Sequence, residues 1–154
     1  MTINIYMQDG ITIRNFTYDD LNKCSNLIEM AWPHEKNIFL EDISEYVNST
    51  NYYFGLYFVI AEADDKIVAM AILTHSLMAT DINELQWVVT HPDYRKRGIA
   101  KKLIEMCKDR TLAEGKSLIF VTTEPEFYKK LGFTTIIPYG RGKFVVMDTL
   151  ANSS

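Results

Sequence analysis

The feature that most constrains the fold is a short basic turn between an apolar strand and an amphipathic helix. Residues 95–100 read Arg-Lys-Arg-Gly-Ile-Ala; a strand-like run over residues 85–89 leads into them, and a helical pattern leaves from them. Gly98 lets a ligand approach the main chain, and the amides from Arg97 to Ala100 are donors that the first turn of a helix leaves unpaired. Because such donors attract phosphate, the turn predicts an anion-binding site. The chain has neither Gly-x-x-x-x-Gly-Lys-Ser/Thr nor Gly-x-Gly-x-x-Gly, so a nucleotide P-loop is not indicated.

Composition sets the class of protein. A chain of 154 residues fits one domain that is long enough to bury a hydrophobic core. Its formal net charge of −4 does not favour nucleic acid or a membrane surface as partner. Cys24 and Cys107 fall in helical patterns among apolar neighbours, which favours reduced core thiols over a disulfide or a metal site. Residues 1–10 lack a basic patch followed by an apolar run, and no stretch of about 18 apolar residues occurs. We expect a cytoplasmic, unprocessed protein without a metal.

Hydrophobic periodicity predicts the elements. Alternating or β-rich apolar runs predict six strands, over residues 11–16, 57–63, 66–75, 82–90, 117–122 and 143–147. Three- and four-residue spacing predicts helices over residues 18–31, 35–47 and 124–131, and one of about fifteen residues between Gly98 and Gly115. Asp64-Asp65 joins two strands as a hairpin without glycine, and residues 82–122 should form a right-handed parallel strand-helix-strand crossover.

Two motifs, taken together, resemble those of the GNAT superfamily of acyl-CoA-dependent N-acyltransferases. Arg95, Gly98 and Ala100 match the family pattern of Gln or Arg, two residues, Gly, one residue, then Gly or Ala. Residues 127–133, Phe-Tyr-Lys-Lys-Leu-Gly-Phe, match a second signature, one helix and one strand further on. The resemblance implies an α/β (α+β) fold with a mixed central sheet of about six to seven strands and about four flanking helices. We expect this fold to form a single domain over residues 1–154.

The resemblance also implies a ligand for the basic turn, the pyrophosphate of coenzyme A, held by backbone amides. Main-chain groups at the end of the preceding strand would pair with the pantetheine arm as an added strand would. A second interpretation stays open for the side chains of Lys96, Arg97, Lys101 and Lys102, which could simply be a solvated helix start. The expected cofactor-binding residues are Val88, Val89, Thr90, Arg95, Lys96, Arg97, Gly98, Ile99, Ala100 and Lys101.

Acyl transfer from a thioester to an amine needs a proton for the departing thiolate. Tyr128 matches the family tyrosine whose hydroxyl lies near the thioester sulfur, and a phenol can protonate a thiolate of similar basicity. The resemblance therefore implies that Tyr128 is catalytic. Alternatively, Tyr128 packs beside Phe127 as an ordinary aromatic residue or only orients coenzyme A.

Glu84 is the expected base, because several family members carry a glutamate at that place. Strand alternation puts Glu84, Gln86 and Val88 on one face and their neighbours Leu85, Trp87 and Val89 on the other. Alternatively, Glu84 is an exposed strand-start residue and a water chain removes the proton, as in many relatives. Asp81 and His75 are weaker substitutes, and the backbone amide near Val89 would stabilise the oxyanion by family analogy.

The chain departs from the family pattern before Tyr128, where many relatives carry an asparagine and a small residue. Here Thr123 and Glu126 fit a capping box around Pro125, which puts the usual side-chain contact to pantetheine in doubt. Thr122 or Thr123 could substitute, although both also suit a capping role.

The acceptor would be bound by a segment rich in aromatic and acidic residues. Such a cleft would favour a cationic amine, but the same residues also suit a core beside a solvated helix face. A polyamine, an aminoglycoside, an amino acid and a protein amine all remain open. The residues of this segment are Trp32, Glu35, Phe39, Glu41, Asp42, Glu45, Tyr46, Tyr52, Tyr53, Phe54, Tyr57 and Phe58.

The resulting prediction is an N-acetyltransferase that moves an acetyl group from acetyl-CoA to a primary amine by direct attack in a ternary complex. Cys107 is the one candidate nucleophile near the motifs, and its place on a buried helix stripe argues against a covalent intermediate. The alternative is a non-catalytic acyl-CoA-binding sensor or regulatory module. Pairing through the last strands would give a homodimer by analogy.

Overall fold

The computed structural model of the protein describes residues 4–48, 57–77, 79–122, 125–139 and 142–147. Within these ranges, eight strands form one mixed sheet that four α-helices flank. The strands are β1 (Asn4–Tyr6), β2 (Thr12–Asn15), β3 (Tyr57–Ala63), β4 (Lys66–His75), β5 (Ile82–Thr90), β6 (Ser117–Thr122), β7 (Thr135–Tyr139) and β8 (Gly142–Met147). The helices are α1 (Leu21–Ala31), α2 (Lys36–Asn48), α3 (Ile99–Ala113) and α4 (Pro125–Lys129).

The strand order is β1-β2-β3-β4-β5-β6-β8-β7, and β5 with β6 is the parallel pair among antiparallel neighbours. The predicted α/β fold is confirmed, but the described sheet has eight strands where six to seven were expected. β1 has three residues, too few to show a period of two, and β7 contains Pro138, which cannot donate to a strand ladder. That proline is tolerated because β7 lies at the edge of the sheet.

The core has two layers, one on each face of the sheet. On one face α1 and α2 bury side chains such as Leu27 and Phe39 against Met70 and Ile72 of β4. On the other face α3 and α4 bury Leu103 and Tyr128 with the alternate strand residues. The sheet is therefore apolar on both sides, as central strands of mixed sheets usually are.

The hairpin between β3 and β4 turns at Asp64 and Asp65, as predicted. Both residues have positive φ, +51° and +60°, which a type I′ turn requires at its two central positions. Aspartate reaches this region at lower cost than most residues because its short side chain can hydrogen-bond locally, so the turn forms without glycine.

The chain enters α1 through a turn that Asp20 stabilises. Its carboxylate accepts a hydrogen bond from the backbone N–H of Thr17 at 2.8 Å and two from the Arg14 guanidinium at 2.7 and 2.8 Å. Arg14 also contacts Glu62 of β3 at 2.6 Å. These bonds attach the start of the first helical layer to β2 and β3.

α3 has fifteen residues, and its C-terminus shows why it stops. Gly115 has φ +69°, its N–H donates to the Leu112 carbonyl at 3.0 Å, and the Lys116 N–H donates to the Thr111 carbonyl at 3.1 Å. This pair of bonds is a Schellman cap. Of the residues predicted on the buried face of this helix, Leu103, Ile104, Cys107 and Thr111 are buried. Ala100 is partly exposed at its first turn, and Leu112 is 40% exposed because it falls in the last turn.

Candidate functional site

The site begins where β5 and β6 separate. Their parallel pairing runs from Ile82 opposite Ser117 to Glu84 opposite Ile119, although β5 continues to Thr90 and β6 to Thr122. The separated ends leave a cleft with a volume of about 770 Å³. It is lined by Ala31, Trp32, Glu35, Trp87, Val88, Val89, Thr90, Tyr94, Arg95, Lys96, Gly98, Ile99, Ala100, Lys101, Phe120, Thr122, Phe127 and Tyr128.

The basic turn lies at this cleft and opens α3. Gly98 has φ +76°, and a Cβ added to it would meet no atom within 4 Å, so the space in front of its backbone is open. The N–H of Lys102 donates to the Gly98 carbonyl at 3.1 Å, the first bond of the helical ladder. The amides of Ile99, Ala100 and Lys101 precede that bond and have no partner in the ladder. The turn has the geometry of an anion site at a helix N-terminus.

The basic side chains of the turn divide into two groups. Arg95 and Lys96 line the cleft together with Lys101. Arg97 does not line it: its guanidinium lies 4.8 Å from the Tyr94 ring centroid and donates to the Asp93 carbonyl at 3.2 Å. For the side chain of Arg97, the interpretation as a surface residue of the helix start therefore fits better than a ligand contact.

Tyr128 reaches the cleft from α4 and is 5% exposed. Its ring packs against Phe120, Phe127 and Phe133, with centroid distances of 4.7, 5.2 and 5.5 Å. Three aromatic contacts fix the ring, so its hydroxyl has a defined position beside the cleft. The ring of Tyr128 does pack beside Phe127, and the catalytic role of its hydroxyl stays a prediction.

β5 contains a bulge that changes which side chains share a face. Met70 pairs with Val89 and Ile72 pairs with Gln86, so β5 carries one extra residue at this point, and Trp87 has φ +49°. The predicted alternation over residues 84–89 is therefore wrong beyond Gln86. Trp87 and Val89 pack on the α1–α2 face, whereas Leu85 and Val88 pack on the α3 face.

Glu84, the expected base, does not line the cleft in the described part of the chain. It lies opposite Thr74 on β4 and Ile119 on β6, and burial raises the pKa of its carboxyl above the ordinary value. His75 contacts Asn83 and Lys116 at 3.2 and 3.0 Å, and neither it nor the exposed Asp81 lines the cleft.

Two residues of the expected acceptor segment do reach the cleft, Trp32 at the end of α1 and Glu35 at the start of α2. The N–H of Glu35 donates to the Trp32 carbonyl at 2.9 Å, which closes the turn between these helices. Phe39 and Phe58 are instead buried in the core. Tyr52, Tyr53 and Phe54 lie outside the described residues, as do Thr123 and the side chains of Glu45 and Tyr46.

Sequence reasoning did not assign Tyr94, Phe120 or Phe127 to the site, although all three line the cleft. Their positions in the sequence could have indicated this, because Tyr94 and Phe127 lie at the two motifs and Phe120 lies near the end of β6. α4 begins at Pro125, which fits the predicted first-turn position, and Thr122 lines the cleft as one of the proposed substitutes for the family asparagine.

Both cysteines are free and fully buried, as predicted. Burial raises the pKa of the Cys107 thiol to about 12 and raises the pKa of Cys24 as well. The described residues contain no cluster of three or more His, Cys, Asp or Glu side chains that could hold a metal ion. In the same part of the chain no helix is both long and apolar enough to cross a bilayer.

Comparison with the sequence profiles of known families identifies the family of this chain. Residues 55–135, more than half of the chain, match the sequence profile of the acetyltransferase (GNAT) domain. The chain belongs to the GNAT acetyltransferase family. The match runs from just before β3 to the first residue of β7 and so contains the basic turn and Tyr128. No curated protein sequence matches the chain.

Solved GNAT-fold structures agree with the architecture. A GNAT-family protein from Desulfovibrio desulfuricans has a TM-score of 0.75 at 16% identity, with 90% of this chain and 99% of the other covered. The PaiA N-acetyltransferase from Thermoplasma acidophilum, solved with coenzyme A, has 0.70 at 18%, covering 90% and 98%. An aminoglycoside 6′-N-acetyltransferase complexed with coenzyme A has 0.68 at 18%, covering 87% and 93%. At these identities the likeness shows the shared GNAT fold.

Proposed function

We propose that this GNAT-family protein transfers an acetyl group from acetyl-CoA to a primary amine by direct attack. The observation that carries the proposal is that one cleft connects the anion-binding turn around Gly98 with the buried hydroxyl-bearing side chain of Tyr128. A donor whose phosphates and reacting thioester are far apart needs a cleft of this kind.

The donor would lie along the separated edge of β5. The amides of Ile99, Ala100 and Lys101 receive the diphosphate, and Arg95 and Lys96 add positive charge that salt screens. The pantetheine arm pairs with the main chain of residues 88–90, because β6 no longer occupies that edge. Two structural neighbours were solved with coenzyme A, which supports this ligand.

The reaction is balanced without a covalent enzyme intermediate. The acceptor ammonium loses a proton, its nitrogen attacks the thioester carbonyl carbon, and the new C–N bond gives a tetrahedral oxyanion near the amide of Val89. The nitrogen then loses its second proton to water and the C–S bond breaks. The sulfur keeps the electron pair and takes a proton from the Tyr128 hydroxyl, and the phenolate regains a proton from solvent. The products are the amide, coenzyme A thiol and one proton.

The proton leaves the acceptor through water under this proposal. Glu84 lies outside the cleft lining, so a water chain would connect it to the acceptor on the α1–α2 face. Cys107 has no exposed surface and its thiol pKa is raised to about 12, so a thiolate nucleophile is disfavoured.

The test is an assay of free-thiol release from acetyl-CoA with a panel of primary amines, together with the melting temperature with and without acetyl-CoA. We expect thiol release that depends on the amine, and a raised Tm with acetyl-CoA alone. A raised Tm without turnover on any amine would contradict the enzyme proposal and favour the non-catalytic acyl-CoA-binding module.

A further inference from the structure

The charges that line the cleft come from two different parts of the fold. Arg95, Lys96 and Lys101 line the part that holds the anion-binding turn. Glu35, on the α1–α2 side, is the one acidic side chain among the described residues that line the cleft. A cleft with this charge distribution attracts an anion beside the start of α3 and a cation beside the turn between α1 and α2.

The carboxylate of Glu35 has no charge partner within the described residues. It is half-buried, and the neighbouring Lys36 is already paired with Glu29 at 2.9 Å. Its main chain is fixed, since the N–H donates to Trp32 and the carbonyl accepts from Phe39, each at 2.9 Å. A carboxylate that lines a cleft and pairs with no cation of the described residues is suited to bind a cation of the ligand.

Two tryptophans line the same cleft as this carboxylate. The Trp32 and Trp87 rings lie 6.3 Å apart at an interplanar angle of 54°, and both line the cleft. Trp32 is 41% exposed, whereas Trp87 is held at 5.3 Å against the Phe39 ring. The bulge keeps Trp87 at φ +49°, a costly conformation for a bulky residue. Indole faces are the best aromatic partners for an organic cation.

We propose that Glu35, Trp32 and Trp87 bind a second, non-reacting ammonium group of the acceptor, so that the preferred acceptor is a dicationic amine. This inference rests on the proposed function and specifies its substrate class. The reacting nitrogen must lose its proton before it attacks, and a carboxylate beside it would hold that proton in place. Glu35 therefore suits the ammonium group that stays charged, while the other amine reaches the thioester.

The chain offers a direct binding signal for this test. It contains two tryptophans, and both stand at the proposed subsite. Intrinsic fluorescence therefore reports acceptor binding without turnover. The protein, saturated with coenzyme A, is titrated with n-alkylamines and with α,ω-diamines of the same chain length, and the same amines are assayed with acetyl-CoA.

We expect the diamine of suitable length to bind about tenfold more tightly than its matched monoamine, as a partly desolvated charge pair with aromatic contacts would give. Glu35→Gln should remove that ratio, with kcat largely kept and KM for the diamine raised. Glu41→Gln removes an exposed carboxylate from α2 outside the cleft and should keep the ratio.

Each proposal can fail separately. The subsite proposal is overturned if the enzyme turns over but binds diamines and monoamines equally well, or if the affinity ratio of diamine to monoamine is unchanged in Glu35→Gln. Either result leaves the acetyltransferase proposal standing. Selective fluorescence binding of diamines that Glu35→Gln abolishes, without thiol release on any amine, supports the subsite and overturns the enzyme proposal.

Discussion

Gly98 and Gly115 hold the two ends of α3 in the same left-handed backbone conformation, with φ of +76° and +69°. A Cβ added to either residue would meet no atom within 4 Å. A change to alanine at either end therefore costs backbone strain alone, about 1 kcal/mol. The two glycines differ in one respect, since Gly98 lines the cleft and Gly115 does not.

Gly98→Ala should weaken binding of coenzyme A, because the new methyl group would occupy the open space in front of the amides. We expect KM for acetyl-CoA and Kd for coenzyme A to rise about tenfold, measured by steady-state kinetics and calorimetry. Gly115→Ala is the matched control and should lower Tm by a similar amount without changing Kd. Equal Kd for the two variants would show that the turn does not contact the ligand.

Tyr128→Phe should lower kcat by about 10²-fold or more, because it removes the proposed proton donor and keeps the packed ring. KM for acetyl-CoA should change little. Tyr57→Phe makes the same chemical change on β3, outside the cleft, and should leave kcat unchanged. An unaltered kcat in Tyr128→Phe would show that Tyr128 has a packing role and is not the proton donor.

Much of this site could be predicted from local sequence. The turn before α3 and the hairpin at Asp64-Asp65 depend on residues that are neighbours in the chain. Their conformations follow from glycine, aspartate and short polar side chains acting over one turn. The two backbone conformations are confirmed, and the ligand of the turn stays a prediction.

The bulge at Trp87 could not be predicted in the same way. Its extra residue is defined by the pairing of Met70 and Ile72 with β5, partners well removed along the chain. Strict alternation therefore assigned residues 87–89 to the wrong faces. Glu35 was recognised as acidic, but only the packing of α1 and α2 against the sheet distinguishes it from the exposed Glu41.

Glu84→Gln tests whether this carboxylate is the base. Burial raises the pKa of Glu84, and a base must be ionised, so kcat/KM should fall as the pH drops through that raised pKa. In Glu84→Gln we expect that acid limb to disappear together with most of the activity. Asp81→Asn, an exposed carboxylate just before β5, should leave the profile unchanged. An intact acid limb in Glu84→Gln would assign base catalysis to water alone.

Glu84→Gln should raise the stability of the fold at neutral pH, although it should lower the activity. Burial disfavours the Glu84 anion, so its folded-state pKa lies above the ordinary 4.5. The unfolded state then ionises first as the pH rises, and stability is lost between the two pKa values. Relative to the native protein, Glu84→Gln should gain free energy of unfolding at pH 7 and show no such gain below pH 4.5. Urea denaturation at both pH values measures this, and a loss of stability at pH 7 would contradict it.

Asp20 should show the reverse dependence on pH. Its carboxylate is 5% exposed, and burial alone would raise its pKa, but the hydrogen bonds from Arg14 and Thr17 outweigh burial and hold the pKa below the ordinary 3.8. Its stabilising effect is therefore complete above pH 3.8 and is lost as the pH falls through the lower folded-state pKa.

We expect Asp20→Asn to lower the free energy of unfolding by about 2 kcal/mol at pH 7, since it leaves charged hydrogen-bond donors without their acceptor. That difference should shrink in urea denaturation series carried out at successively lower pH below 4. Asp19→Asn, at an exposed position in the same turn, should cost little at any pH. A loss for Asp20→Asn that stays constant down to the acid transition would mean that packing, and not the ion pair with Arg14, holds the start of α1.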